Sequence, residues 1–211
     1  MTPDEVIGMT WRNILVVILA MGAGLGCAGA QGSSAVPQPK PLVGSVAGHV
    51  GWPKGKAGDV SSVDGLMVAL YDVISGPAGK PRDWDRFRSL FAPDGRLGIV
   101  RVDHPAVDGQ PAKPGDVYFL TPDMYVERDA PFFAKEGFFE HGIANRVEQF
   151  GNLVSVWSTY ESRHAPEDAK PFARGINSIQ LVKAQGRWWI ASIIWEDERE
   201  GLVLPEKYLK P

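Results

Sequence analysis

The residues best suited to chemistry are polar side chains set into an apolar, strand-forming stretch, residues 137–198. His141 and Glu196 could transfer protons, because imidazole and carboxyl groups act as general acids or bases when their pKa lies near the working pH. The other members of this polar set are Asn145, Ser158, Tyr160, Asn177 and Ser192. Polar groups on a core-facing surface are costly unless they are hydrogen-bonded. They therefore either bond to one another or line a cavity for a ligand.

The first of two predicted hairpins determines on which face of the sheet half of these polar side chains lie. Gly151 and Asn152 form a two-residue turn signal between two alternating runs. If Phe150 lies opposite Leu153, one face is charged and internally paired, and the other is apolar with polar groups set into it. The pairs predicted for the apolar, core-facing side are Val147 with Val156, Asn145 with Ser158, Ile143 with Tyr160 and His141 with Ser162.

The second hairpin, with its turn at Gln185 and Gly186, places the other half. Its last strand is apolar at odd and even positions, so both faces must be covered. The side chains predicted to face the core and pocket are Trp188, Ile190, Ser192, Ile194 and Glu196. The opposite face carries Trp189, Ala191, Ile193 and Trp195. A symmetric homodimer is the commonest way to cover such a face, so Trp189, Ile193 and Trp195 are predicted to form its interface.

Helices precede these hairpins. Apolar spacing predicts a helix from Ser61 or Ser62 to Ile74 and a second over Asp83–Phe91. A third starts at Thr121, with Pro122 in its first turn, and Pro131 is expected to break or kink it. The strands predicted between them are residues 96–102 and 117–120. Helices followed by a long antiparallel sheet indicate an α+β fold.

Several segments of the chain resemble the nuclear transport factor two-like superfamily, and most closely its bacterial polyketide-cyclase (SnoaL-like) branch. The segments that carry the resemblance are Leu90-Phe91-Ala92-Pro93-Asp94, Gly137-Phe138-Phe139-Glu140-His141, residues 150–160, residues 175–181 and Gly186-Arg187-Trp188-Trp189-Ile190. The resemblance implies a cystatin-like cone, in which N-terminal helices pack on a curved antiparallel sheet around a pocket. It also implies frequent dimers through the outer face of the sheet. The superfamily includes isomerases, dehydratases, cyclases, hydrolases and binding domains, so it does not imply one function.

The resemblance also implies a catalytic base. In the ketosteroid-isomerase-like members, a carboxylate near the end of a strand abstracts a proton, and Asp103 matches that position. A buried carboxylate beside apolar walls has a raised pKa, which suits a base. This chain departs from the pattern at the helix tyrosine, since Ala69 falls near that position and Tyr71 is expected elsewhere on the helix. Asp103 also suits a simple turn.

The N-terminal 30 residues are predicted to be a signal peptide. An apolar run follows Arg12, and Ala28-Gly29-Ala30 supplies a cleavage pattern, so export to the periplasm or medium is expected. Lipid attachment at Cys27 is the alternative. Residues 31–60 are rich in Gly and Pro and are interpreted as a flexible linker. Residues 61–198 form the domain, and residues 199–211 a tail with enough apolar residues to fold back onto it.

The formal net charge of −3 gives no reason to expect nucleic acid as a partner, and no motif predicts a metal or a cofactor. Two classes of function remain. One is a dimeric protein that binds a small apolar molecule or acts as a scaffold. The other is a cofactor-free lyase, isomerase or cyclase that uses Asp103, or His141 with Glu196, for proton transfer. An open cavity of about 300 Å³ or more, on which the polar set converges, would favour the enzyme.

Overall fold

The computed structural model describes residues 42–103 and 111–210. The predicted signal peptide, including Cys27, and the first part of the predicted linker lie outside these residues. No helix within the described ranges is long and apolar enough to cross a membrane.

The described chain contains four α-helices. They are α1 (Ala57–Val60), α2 (Val63–Ile74), α3 (Trp84–Leu90) and α4 (Pro122–Lys135). Ser62, Asp83 and Thr121 cap the last three, because each side chain accepts a hydrogen bond from the backbone N–H three residues further on. These three capped starts agree with those predicted from the sequence.

Helix α4 is longer than predicted. It continues through Pro131 to Lys135, so of the two predicted effects of this proline, a break or a kink, the break is wrong. Proline removes one hydrogen bond of the helix. Tertiary packing offsets that loss, because Phe133 is buried with its ring centroid 5.7 Å from that of Trp84 and 5.2 Å from that of Phe138.

Six strands form one curved sheet. They are β1 (Phe91–Arg101), β2 (Asp116–Leu120), β3 (Phe139–Phe150), β4 (Leu153–Arg163), β5 (Ala173–Ala184) and β6 (Arg187–Asp197). Their order across the sheet is β2-β1-β6-β5-β4-β3, and neighbours are antiparallel except β1 and β6, which are parallel. The predicted class, α+β with helices packed on a curved sheet, is confirmed. The parallel pair is the one departure from an antiparallel sheet.

A β-bulge in β3 changes the predicted pairing of the first hairpin. From Phe150 opposite Leu153 to Asn145 opposite Ser158, the register is as predicted. The ladder then skips Ile143, so every residue before it moves by one position. The new pairs are Gly142 with Tyr160, His141 with Glu161 and Glu140 with Ser162. A shift of one residue exchanges the two faces of a strand. Glu140 therefore takes the inward place predicted for His141, which is exposed.

A second irregularity does the same to β6. The register is as predicted from Lys183 opposite Trp188 to Leu181 opposite Ile190, and it then skips Ala191. The new pairs are Gln180 with Ser192, Ile179 with Ile193, Ser178 with Ile194, Asn177 with Trp195, Ile176 with Glu196 and Gly175 with Asp197. Beyond Ala191, the residues predicted to face outward face the helices, and those predicted to face inward lie on the outer side.

Both ends of the described chain pack on the domain. The Trp52 indole donates to the Phe91 carbonyl at 3.1 Å, and Val60 is buried, so the last part of the predicted linker contacts the domain. The tail folds back as predicted. Its Tyr208 stacks on Trp157 with a centroid distance of 5.5 Å, and the Thr159 hydroxyl donates to the Tyr208 carbonyl at 2.6 Å. The tail thus covers part of the outer sheet face.

Candidate functional site

A cavity of about 210 Å³ lies between the helices and the inner face of the sheet. We call it the cone cavity. Its apolar walls come from α2, α3, α4, the inner residues of the sheet and the two residues that directly precede β3 and β5; they are Leu70, Ile74, Phe87, Leu97, Ile99, Phe132, Phe133, Phe138, Phe172, Ile193 and Trp195. This volume is below the roughly 300 Å³ of typical ligand pockets. It suits a small, largely apolar molecule.

Three acidic or phenolic side chains form the polar end of the cone cavity. Tyr160 donates its hydroxyl to the Asp197 carboxylate, and Glu140 accepts a hydrogen bond of 2.7 Å from the Ser162 hydroxyl. All four residues line the cavity. We call Glu140, Tyr160 and Asp197 the acidic cluster. Glu140 and Asp197 reach this place only because the two bulges turn them inward.

Burial sets the protonation of this cluster. It raises the pKa of Glu140 to about 7, against the lowering effect of the Ser162 hydrogen bond and with a further rise from the Asp197 charge. Burial also raises the pKa of Tyr160, and the nearby Asp197 adds to it. Glu140 can therefore both hold and release a proton near neutral pH, while Tyr160 stays protonated and acts as a hydrogen-bond donor.

A second charged group lies elsewhere on the wall. Burial raises the pKa of Asp129, while the charges of Arg128 and Arg101 oppose the rise. The Arg128 guanidinium lies 3.6 Å from the Asp129 carboxylate. The two arginines of the cavity wall, Arg101 and Arg128, therefore partly offset the effect of burial on the pKa of Asp129.

A hydrogen-bonded group fills the space next to the cavity. The Tyr71 hydroxyl and the Ser158 hydroxyl lie 2.5 Å apart, and the Asn177 amide donates to Tyr71 at 3.2 Å. Burial raises the pKa of Tyr71 to about 12, so it stays protonated. Tyr71 points at the sheet next to the cone cavity and does not line it. Ser158 and Asn177 are thus satisfied by Tyr71, and Asn145 has no part in the group.

Two glycines make room for these tyrosines. A Cβ on Gly142 would lie 3.0 Å from the Tyr71 ring, and one on Gly175 would lie 2.5 Å from the Tyr160 hydroxyl and closer still to the Glu196 carbonyl. A strand residue without a side chain marks close approach of another group. Gly175 therefore allows Tyr160 to cross β5 and reach Asp197 on β6.

The three predicted catalytic residues lie away from the cone cavity. Asp103 is exposed, and its carboxylate accepts a hydrogen bond of 2.6 Å from the Gly115 N–H, twelve residues further along the chain. Glu196 lies on the outer face and forms an ion pair of 2.7 Å with Arg199. His141 is exposed and lines a separate groove between α2 and β3. The catalytic roles predicted for these residues have no support in their positions.

The predicted pocket residues divide into two groups. Tyr160 and Asn177 line the cone cavity. Asn145 is exposed and lines the groove beside His141 on β3, an edge strand of the sheet. The others are Ser158, which binds Tyr71, Trp188, which is buried in the core, and Ser192, which the bulge turns to the outer face.

The predicted dimer interface is wrong for two of its three residues. Ile193 and Trp195 line the cone cavity, because the bulge at Ala191 turns them inward. Trp189 is buried, with the Arg187 guanidinium 3.7 Å from its ring centroid and its indole N–H donating to the Ala184 carbonyl. These three side chains do not form an open apolar patch.

No family model matches the chain, and no curated protein matches it. Among solved structures, a protein of unknown function with a cystatin-like fold from Nostoc punctiforme is 11% identical, with a TM-score of 0.47; the match covers 64% of this chain and 88% of that one. An NTF2-like protein of unknown function from Silicibacter pomeroyi is 12% identical, with a TM-score of 0.40 and coverage of 65% and 94%. The β subunit provisionally assigned to an aromatic-ring-hydroxylating dioxygenase from Novosphingobium aromaticivorans is 14% identical, with a TM-score of 0.48 and coverage of 66% and 88%. These likenesses concern the fold alone.

The class of this protein follows from its own architecture. Helices followed by a six-stranded sheet, with a cavity between them, form the cystatin-like cone of the nuclear transport factor two-like fold. This is the fold that the sequence resemblance implies. The narrower resemblance to the SnoaL-like branch stays a prediction.

Proposed function

We propose that the protein binds one small, largely apolar molecule in the cone cavity, with the polar end of that molecule against the acidic cluster. The observation that carries the proposal is a cavity whose walls are mostly apolar or aromatic and whose polar groups are concentrated in a few places. Ligand pockets commonly combine such walls with a few placed polar groups that fix orientation.

The chemistry of the acidic cluster indicates what the polar end of the ligand is. No ion pair between described side chains includes Glu140 or Asp197. An ionised carboxylate accepts hydrogen bonds and donates none. The ligand is therefore expected to present a donor, such as a hydroxyl, an amide N–H or an ammonium group.

Filling the cavity tests the proposal. Ala173 lines the cone cavity, and Ala173→Leu should occupy part of the space that the ligand needs. In a thermal-shift screen of aromatic alcohols, amides and amines, we expect some compounds to raise the Tm of the wild type. Those shifts should disappear in Ala173→Leu.

The matched control is Ser178→Leu, five residues further along β5 on the outer face. It should keep the same shifts. Compounds that raise the Tm of both variants equally would contradict the proposal. So would a screen in which no compound raises the Tm of the wild type.

A second candidate function is proton transfer without a cofactor, and the raised pKa of Glu140 favours it. A carboxylate with a pKa near 7 is well matched to a base at neutral pH. Glu140 would take a proton from a carbon next to a carbonyl group. Tyr160 would release its hydrogen bond to Asp197 and donate to the carbonyl oxygen instead, as negative charge develops there. This places the acid–base role on Glu140 and not on Asp103, His141 or Glu196.

Hydrogen–deuterium exchange at the α-carbon of a cyclic ketone, followed by NMR, tests this second candidate. The wild type should accelerate exchange, and Glu140→Gln should slow the enzyme-catalysed rate by about 10²-fold or more, the usual contribution of a general base. The rate should rise with pH through about 7, because the base form of Glu140 is then populated. Equal rates in Glu140→Gln and the wild type would exclude Glu140 as the base.

Export belongs to the proposal as well, and it rests on the apolar run and cleavage pattern within residues 14–30. Homodimerisation stays a prediction from the resemblance. Ile193 and Trp195 no longer support it, because they line the cone cavity.

A further inference from the structure

A second cavity lies on the opposite side of the sheet, beneath the C-terminal tail. It has a volume of about 300 Å³ and lies between residues 202–208 and the outer faces of β4, β5 and β6. We call it the outer pocket. Its apolar lining includes Trp157, Ile176, Ile194, Leu202, Pro205 and Tyr208.

The tail is held at a fixed distance from the sheet. Near one end, the Leu204 N–H donates to the Glu198 carboxylate at 3.0 Å. At the other, Thr159 donates to the Tyr208 carbonyl at 2.6 Å, and Tyr208 stacks on Trp157. The outer pocket therefore has a frame that resists collapse. A pocket that is already formed binds its ligand at a lower cost in ordering.

The Glu196 and Glu198 carboxylates at the rim of the outer pocket are already paired, and the Asp197 carboxylate accepts its hydrogen bond from Tyr160 on the inner side. Glu196 forms its ion pair with Arg199, and Glu198 binds the Leu204 N–H and lies 3.6 Å from the Arg174 guanidinium. A charged ligand would have to displace these partners. Apolar cavities stay dry and take up apolar molecules, and most of this lining is apolar. The lining thus favours an uncharged ligand.

We propose that the outer pocket is a second binding site, specific for a small, uncharged, apolar molecule. It differs from the cone cavity in its chemistry. The Glu140 and Asp197 carboxylates have no ion-pair partner within the described part of the chain and form the polar end of the cone cavity, whereas the Glu196 and Glu198 carboxylates at the outer pocket are paired with arginines. Strand β6 separates the two sites. Trp195 and Asp197 contribute to both linings. The proposal does not depend on what the cone cavity binds.

The test uses the neutral fluorophore N-phenyl-1-naphthylamine, whose emission rises in apolar surroundings. Titration is carried out on the Ala173→Leu variant of the full chain, so that the cone cavity is blocked. We expect one saturable site. Adding Ser178→Leu, which projects into the outer pocket, should weaken binding by about tenfold or more, equal to about 1.4 kcal/mol. Thermal unfolding of both variants checks that each is folded.

A second pair of variants addresses the tail. Leu202→Ala widens the outer pocket and should also weaken binding, whereas Leu209→Ala, outside the lining, should not. No saturable binding in Ala173→Leu would overturn the proposal, as would an affinity that Ser178→Leu leaves within about twofold. Sedimentation of the same samples distinguishes a further outcome. A dimer that excludes the fluorophore would show that a second copy covers this face, which also overturns the proposal.

Discussion

Glu140→Gln should stabilise the protein at pH 8 by up to about 3 kcal/mol and leave its stability at pH 4 almost unchanged. The carboxylate titrates near 4.5 in the unfolded chain and near 7 in the folded one. Each pH unit between these values corresponds to about 1.4 kcal/mol. A glutamine keeps the shape of the side chain and still accepts the Ser162 hydrogen bond, but it never carries the charge.

The sign of this effect follows from proton binding. Between about pH 4.5 and 7, the folded protein holds a proton on Glu140 that the unfolded chain has released. The contribution of Glu140 to stability therefore falls as the pH rises through this window, and the cost is complete above pH 7. Urea unfolding of the variant and the wild type at pH 4, 6 and 8 measures the difference.

Glu148→Gln is the control, because Glu148 lies exposed on the same strand. It should change stability by less than about 0.5 kcal/mol at every pH. An equal gain from Glu140→Gln at pH 4 and pH 8 would contradict a raised pKa and would indicate a packing effect.

The second large effect is expected at Arg82, a buried residue of the loop between α2 and α3. Its guanidinium donates to the carbonyl groups of Ile74, Gly76, Pro77 and Lys80 at 2.6–3.1 Å. It also lies 5.2 Å from the centroid of the Phe133 ring. Arg82→Ala removes these contacts together. We expect a loss of about 3–5 kcal/mol, since leaving buried polar groups unpaired costs about 1–3 kcal/mol each.

Two further arginine variants separate the effect of the buried hydrogen bonds of Arg82 from the effect of its charge. Arg82→Lys keeps the charge but not the planar fork of donors, so it should recover only part of the loss. Arg88→Ala removes surface ion pairs with Asp85 and Asp123 and should cost about 1 kcal/mol at most. Denaturant unfolding at pH 7 gives all three values. If Arg82→Ala costs no more than Arg88→Ala, the four carbonyl groups find other partners.

The sequence was sufficient to predict elements whose signals are local. Ser62, Asp83 and Thr121 cap helices where their side chains and spacing predict, and the 151–152 turn sets Asn145 opposite Ser158. These features depend on a few neighbouring residues. The alternation of side chains along each strand then predicted correctly which side of the sheet each one faces, up to the point where a bulge interrupts the pairing.

The site could not be predicted in the same way, because both bulges depend on tertiary packing. Nothing in the residue types at Ile143 or Ala191 indicates that the ladder skips them. Each skipped residue exchanged the members of the site, so that Glu140 replaced His141 and Asp197 replaced Glu196. One sequence signal was available. Gly142 and Gly175 lie within strands, where a missing side chain indicates that another group approaches closely.

The bulge at Ala191 also determines which side chains of β6 line each of the two cavities. With it, the inner face of β6 presents Ile193, Trp195 and Asp197. If Ala191 were paired in the ladder and the bulge lost, Ser192, Ile194 and Glu196 would face the cone cavity instead. Gain or loss of one bulge at this position would thus exchange a whole set of side chains between the two cavities. Changes in strand pairing, and not substitutions at the lining positions alone, are then a route by which relatives of this fold could acquire different specificities.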